Sequence, residues 1–554
     1  MKKQAVAVAA WVLIHASVFV QADKSLRADD GTEAAATDSR PHIVMCFADD
    51  WGAYAGVYGK LKPGGPSDVI STPNFDAIAR QGVLMTNAFV SAPSCTPCRS
   101  SLLSGQHFWR CDRASILLGA VWDGSIPSYP LLLEQQGYRI GHTYKVWSPG
   151  TPRDAPHGGD RTSFNSAGRK FNGFSQNAMK AEDREAGKAA LLEEVRGNIR
   201  SFLDADDDGK LDGDGPVCYW FGPTNTHRKW IAGSGKVLWG IDPDDLKGKL
   251  PPYLPDVPVV REDFADYLGE AMAFDASLAV IREELDRVGI EDNTMMVISG
   301  DHGIPGVTRG KCNLYDLGTQ VPLAIRWPAG IEHPGRVVTD FVSLPDLAVT
   351  FLEAGGTKPT DNMTAKSLMP ILTSDRAGRV DESRDAVFTG RERHVAAARD
   401  GYLPYPQRAL RTDQYLYILN FAPDRTPMGD GPFVAGSTME VPEYEALREN
   451  TFAAYPDMDA SPTKAFVVTQ RDRYPEAFDA AVGLRPRIEM YDVAADPHCM
   501  NNLAQDDAVA EIRQSLHQRL MDELRTTGDD RVTDDPKWEH PPYTDPAGKR
   551  SPPG

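Results

Sequence analysis

The stretch Ile43-Val44-Met45-Cys46-Phe47-Ala48-Asp49-Asp50 is an unbroken apolar run that stops abruptly on two carboxylates. A run of that length without alternation reads as a strand buried on both faces, and the polar stop marks its carboxyl end. The pattern recurs at residues 217–221 and at 294–299, the latter followed by Gly300-Asp301-His302-Gly303. Residues 321–327 read as a further strand. Between them lie helices: Thr72-Pro73 opens one that runs through Arg80, with Pro at the first helical position and Gly82 past the end. Residues 258–288 form a long amphipathic one. Strands alternating with helices predict an α/β fold, a large and mostly parallel sheet covered by helices on both faces. Ligands in such folds bind beyond the carboxyl ends of the strands, where the polar stops stand.

The texture changes after about residue 380. Apolar runs shorten, residues 415–421 read as a strand, and a last helix places Val509, Ile512, Leu516, Leu520 and Leu524 on one face. The expected organisation is a catalytic α/β domain at 41–380, a smaller α+β subdomain at 381–525, and a Pro-rich tail or surface strap at 526–554. At the other end, Lys2 and Lys3 precede an apolar run over 5–20 and the small-residue site Val20-Gln21-Ala22. That is the layout of a signal peptide over 1–22, and the run falls short of the roughly 20 apolar residues of a membrane span. Residues 23–40 read as a polar disordered leader. The expectation is an exported protein, periplasmic or secreted, without stable membrane association.

Lys+Arg number 59 and Asp+Glu 78, so the formal net charge over 554 residues is −19. With 41% hydrophobic and 25% charged residues the chain is globular. Its acidity excludes a nucleic-acid binder, since no basic stripe is available to replace phosphate counterions. An anionic substrate would need local cations or a metal. The seven cysteines are an odd number for an exported chain, and their spacing shows no zinc layout.

The chemistry concentrates in Ser94-Cys95-Thr96-Pro97-Cys98-Arg99-Ser100-Ser101-Leu102-Leu103-Ser104-Gly105. Asp49-Asp50 and Asp301-His302, at the ends of two strands, form a second group. Two pairs of hard ligands converging there suit a divalent cation, and oxygen-rich ligation favours Ca²⁺ over Zn²⁺. The Cys-x-Pro-x-Arg frame on Cys95, Pro97 and Arg99, with these companions in order, resembles the sulfatase family. The resemblance implies an alkaline-phosphatase-like fold, oxidation of Cys95 to formylglycine by a formylglycine-generating enzyme, and one catalytic Ca²⁺ held by Asp49, Asp50, Cys95, Asp301 and His302. It also implies Lys145 and Lys311 as sulfate-binding cations, His227 as the acid for the leaving group and Arg99 as the residue that holds the formylglycine. The Arg391-Glu392-Arg393-His394 and 405–411 segments most resemble the sulfamidase branch, which places His394 at the substrate pocket. The implied activity is hydrolysis of an O- or N-linked sulfate on a carbohydrate.

One departure stands out. Many family members carry a histidine two residues after the active-site lysine, and here Trp147 occupies that position, so His142 or a water must serve, or the step is slow. Two rival readings follow: a phospho- or phosphonoester hydrolase of the same superfamily, and a non-catalytic pseudo-sulfatase that binds sulfated glycans. Separately, Asp204, Asp206, Asp208 and Asp212 match the early positions of an EF-hand loop, without its terminal Glu, and mark a candidate second Ca²⁺ site.

Overall fold

The computed structural model describes residues 39–546. The expected signal peptide and nearly all of the leader lie outside the described residues. A seven-stranded sheet takes the order β3-β4-β1-β5-β6-β2-β7. Its strands are β1 (His42–Ala48), β2 (Val83–Phe89), β3 (Arg139–Tyr144), β4 (Val217–Gly222), β5 (Thr294–Gly300), β6 (Leu323–Arg326) and β7 (Arg336–Ser343). Only β6 runs against its neighbours β5 and β2, so the sheet is mixed, as expected. The strand expected at 321–327 is shorter, because Pro322 and Pro328 flank it and neither can donate to a ladder.

The unbroken apolar run of β1 has a simple cause. Val44, Cys46 and Ala48 point into one core, packed by the helices Arg184–Leu203 and Pro258–Arg287. Ile43, Met45 and Phe47 point into the opposite core, with Leu102, Leu103, Leu347 and Phe351. Both faces are dry, so neither tolerates a polar residue until the strand ends. Each such side chain contributes about 1.5–3 kcal/mol on burial.

A second, antiparallel sheet lies C-terminally in the order β11-β10-β9-β8, made of β8 (Ala386–Arg391), β9 (Gln407–Thr412), β10 (Tyr415–Asn420) and β11 (Ile488–Asp492). The helix Ala510–Thr526 packs Leu516, Leu520 and Leu524 against it. Ile512, expected on that face, is 38% exposed, and Val509 is the residue preceding the helix. Beyond the helix, residues 527–546 lie as a strap: Trp538 is 1% exposed in the same core, and Lys537 reaches Asp112 at 3.0 Å. All seven cysteines are free and buried. Among the described residues no helix is long and apolar enough to cross a membrane.

Candidate active site

Five carboxyl ends of the large sheet meet at one place. β1 delivers Asp49 and Asp50, β5 delivers Asp301 and His302, and β3 delivers Lys145. β4 leads to His227, and β2 leads to the helix Cys95–Ser104, which is closed by Gly105 at φ 66. Asp50 is in the left-handed region at φ 59, which costs a non-glycine residue on the order of 1 kcal/mol. Two side chains hold it there. Tyr267, from the long helix, donates to the Asp50 carbonyl at 3.0 Å and accepts from the Gly52 N–H at 2.9 Å. Thr226 donates to the Asp49 carbonyl. Sequence reasoning missed both, because nothing local marks a tyrosine in an amphipathic helix as a brace for a turn 217 residues away.

Four donor atoms converge: Asp50, Cys95, Asp301 and His302 each offer one within 4.8 Å of the others, and all four residues are buried. His302 Nε2 stands 3.1 Å from Asp50 Oδ1, 3.5 Å from Asp301 Oδ1 and 3.3 Å from Cys95 Sγ. The other ring nitrogen, Nδ1, lies 3.2 Å from the Gly303 carbonyl, which can only accept, so Nδ1 carries a proton and Nε2 is the nitrogen turned to the carboxylates. Nε2 and two carboxylate oxygens facing one another make a place for a cation. The outer carboxylate oxygens are already engaged, Asp50 Oδ2 by Lys311 at 3.0 Å and Asp301 Oδ2 by Arg99 at 2.9 Å. That arrangement turns the inner oxygens to a common point, and the donor set fits a divalent cation. Asp49 stands apart from this group: both of its oxygens are held by Lys145, at 2.6 and 2.8 Å, and one also by Arg99, at 2.9 Å. It clusters instead with Asp50 and His227.

Three carboxylates therefore face three buried or nearly buried cations. Burial alone would raise the Asp49 carboxyl, but Lys145 and Arg99 hold it well below the usual carboxylate range. For Asp301 burial wins, and its carboxyl is raised despite His302 and Arg99. Burial works against the charge on Lys311, yet Asp459 and Asp50 together push its ammonium above its ordinary value. Burial, reinforced by Asp49, pushes the Cys95 thiol well up. Unmodified, it is a thiol and a weak nucleophile. Arg99 is fully buried and touches carboxylates and the carbonyls of Lys145 and Val146, so its part is to orient ligands.

His227 is half-buried beside this cluster, with Nε2 3.9 Å from Asp50 Oδ2 and Nδ1 donating to the Arg228 carbonyl at 2.7 Å. His394 lies behind the nucleophile position rather than in the cleft. It is buried, paired with Ser94 Oγ at 2.8 Å, and burial lowers its pKa to about 3, so it is neutral. Its neighbours Arg391 and Glu392 are committed to ion pairs with Asp457, Arg408 and Arg531. Trp147 points into the core, its indole N–H donating to Ser100 Oγ at 2.7 Å and its ring edge-on to Trp122. His142 does not replace the missing histidine: it packs on His157 and Thr162 inside β3, and burial lowers its pKa to about 4. No local pattern marks Asp459, whose carboxylate approaches Lys311 at 3.3 Å from the C-terminal part of the chain. In the acidic loop, Asp204, Asp206 and Asp208 cluster, but Asp204 is paired with Arg287 at 2.6 Å and Asp212 is turned to the Ala205 N–H.

The site opens through a cavity of about 250 Å³ lined by Asp49, Lys145, Thr224 and His227. A larger cavity of about 840 Å³, between Asp346, Arg384 and the last helix, contains none of the predicted site residues.

With that geometry established, comparison with known proteins is direct. The sulfatase family model matches residues 41–357, and that of the N-sulphoglucosamine sulphohydrolase C-terminal region matches residues 307–418. The chain is 27% identical over 528 residues to human N-sulphoglucosamine sulphohydrolase, covering 87% of this chain and 89% of that protein. It is 23% identical to an ulvan-active sulfatase of Formosa agariphila, with 92% and 85% covered. A solved structure in complex with its substrate D-glucosamine-2-N,6-O-disulfate superposes with a TM-score of 0.56 at 17% identity, covering 90% of this chain and all of that one, which shows the shared fold.

Proposed function

From the premise that this chain belongs to the sulfatase family, we propose that it is exported and removes sulfate from a carbohydrate, with Cys95 matured to formylglycine and Ca²⁺ held by Asp50, Asp301, His302 and position 95, Asp49 standing beside them. One observation carries the reading: three inward-facing protein donors meet the Cys95 side chain at the mouth of a helix, with Lys145 and Lys311 on either side. The resemblance of the whole chain to carbohydrate sulfatases supports the substrate class. The amino-terminal charge and hydropathy pattern supports export.

Formylglycine and the ion together supply a hydrated aldehyde nucleophile and positive charge at the sulfuryl oxygens. The remaining work belongs to the chain's own residues. Arg99 fixes Asp49 and Asp301 from beneath. Lys145 and Lys311 offset negative charge that builds on the transferred group, the electrostatic effect that usually contributes most. The amino end of the helix Cys95–Ser104 adds a partial positive charge in the same place. His227, held through Nδ1 by the Arg228 carbonyl, presents Nε2 to the leaving atom and as imidazolium delivers a proton to the departing oxygen or nitrogen. Cys95 is 2% exposed, which is consistent with conversion by a maturation enzyme that acts before the chain folds. The test is sulfate release from heparin, chondroitin, carrageenan, fucoidan and ulvan oligosaccharides by converted protein. Turnover on at least one supports the reading, and full conversion with none contradicts it.

A further inference from the structure

Lys311 is shared by two carboxylates that come from opposite ends of the chain, Asp50 Oδ2 at 3.0 Å and Asp459 Oδ2 at 3.3 Å. The loop that carries Asp459 is fixed on both sides. Before it, Asp457 accepts from Arg391 at 2.6 Å, Arg399 at 2.7 Å and the Val395 N–H at 2.8 Å. After it, Ser461 donates to the Gly306 carbonyl at 2.6 Å. Lys464, itself buried, closes the loop by donating to the carbonyls of Thr451, Tyr455 and Met458, at 3.1, 3.2 and 2.7 Å. A loop fixed this firmly holds its side chain in one place rather than letting it follow Lys311.

Asp459 is nevertheless not fully used. Oδ2, turned towards the Lys311 ammonium, is itself buried and has no aligned hydrogen-bond donor among the described residues, yet the side chain as a whole is 16% exposed, so the exposure belongs to the rest of the side chain and not to Oδ2. Burial opposes its charge, but Lys311, His227 and His394 hold the carboxyl well below the usual range, so it is ionised. The three N–H donors of the Lys311 ammonium can reach both carboxylates and a bound sulfuryl group, but its single positive charge is set against two carboxylates. What remains is a rigid anionic acceptor immediately beside the sulfate position.

We propose that Asp459 is a specificity-determining residue, accepting a hydrogen bond from a hydroxyl or amino group of the sugar next to the sulfate being removed and rejecting sugars that carry a second anionic group there. The inference rests on the function proposed above. A donor pairs with the carboxylate, whereas a neighbouring sulfate meets a fixed like charge in a poorly solvated place.

The experiment compares kcat/KM for methyl glycosides of glucosamine N-sulfate, galactose 4-sulfate and rhamnose 3-sulfate with counterparts sulfated also on the adjoining carbon. Wild type should prefer the monosulfated member of its best pair by about tenfold or more. Asp459→Asn should erase most of that preference, chiefly through KM, with Asp459→Ala as a second variant and thermal melts confirming that both fold. A residue that only braces Lys311 would lower both members of the pair by the same factor, and that result overturns the inference, as does a wild type indifferent to the second sulfate. Absence of release from any sulfated sugar would remove the hydrolase reading and this inference with it, whereas release with an unmoved ratio removes this inference alone.

Discussion

His302 aims Nε2 at Asp50 Oδ1 across 3.1 Å while the Gly303 carbonyl keeps its proton on the far nitrogen. A divalent cation held between that nitrogen and the carboxylate oxygen would stabilise this arrangement. Adding Ca²⁺ at about 100 times its dissociation constant should therefore stabilise the fold by about 2.7 kcal/mol, and EDTA should reverse it. Thermal melts with and without Ca²⁺ check this. In His302→Ala the Ca²⁺-dependent rise should shrink to a small fraction of the wild-type value; an unchanged rise would place the ion elsewhere.

Lys311 should matter more than its single charge suggests. Lys311→Ala removes a cation from the proposed sulfuryl site and leaves Asp50 and Asp459 facing each other without it. A loss of about 10²–10³ in kcat/KM is expected, the scale of deleting one preorganised donor. Lys145→Ala should cost a similar factor, since Asp49 loses its bidentate partner. Initial rates on the best sulfated sugar, alongside melts, separate the catalytic loss from unfolding.

Trp147 stands where the family commonly has histidine, but its ring lies in the core under the Cys95 helix. Trp147→His should not raise the rate. It should cost about 3 kcal/mol, as large-to-small core changes do, and lower Tm by several degrees. A faster enzyme with an unchanged Tm would show that the position faces the cleft after all.

Glu270 gives a pH signature away from the reacting centre. It is buried in the long helix, accepting from the Ser175 N–H and from Asn225 Nδ2, each at 3.1 Å, and burial pushes its carboxyl up to about 7. An unfolded Glu titrates at about 4.3, so between these values the folded state holds the extra proton. The stabilisation is complete below about pH 4, falls as pH rises, and is lost above about pH 7. In Glu270→Gln the amide can meet the otherwise unpaired Asn225 Oδ1. The variant should therefore gain on wild type between pH 5 and pH 8, by up to about 3 kcal/mol. Denaturant melts at the two pH values measure it, and a constant difference would refute it.

The large sheet was legible because burial on both faces leaves an unmistakable trace: β1 and β4 stay apolar to their carboxyl ends and β5 through Ile298, and each then turns polar. The site residues at those strand ends were legible for the same reason. What the sequence hid is long-range. Tyr267 and Asp459 act through contacts 217 and 148 residues apart, and neither sits in a pattern that differs from an ordinary helix or loop. His394 is the converse case. Its segment resembles a pocket wall, yet the structure packs it behind Ser94, because Arg391 and Arg399 on either side of it pair with the buried Asp457 from the C-terminal part. Ile512 shows the limit of periodicity, being on the predicted face but beyond the edge of the sheet-packed stripe of Leu516, Leu520 and Leu524.

The most direct test of the whole account is to co-express the chain with a formylglycine-generating enzyme and confirm by mass spectrometry that the peptide carrying Cys95 has lost its thiol to an aldehyde. Inorganic sulfate released from sulfated oligosaccharides is then followed in the presence of Ca²⁺. The account predicts multiple turnovers on at least one glycan and none for Cys95→Ala. Fully converted, folded protein that releases no sulfate from any of them while hydrolysing a phosphonate ester would contradict it.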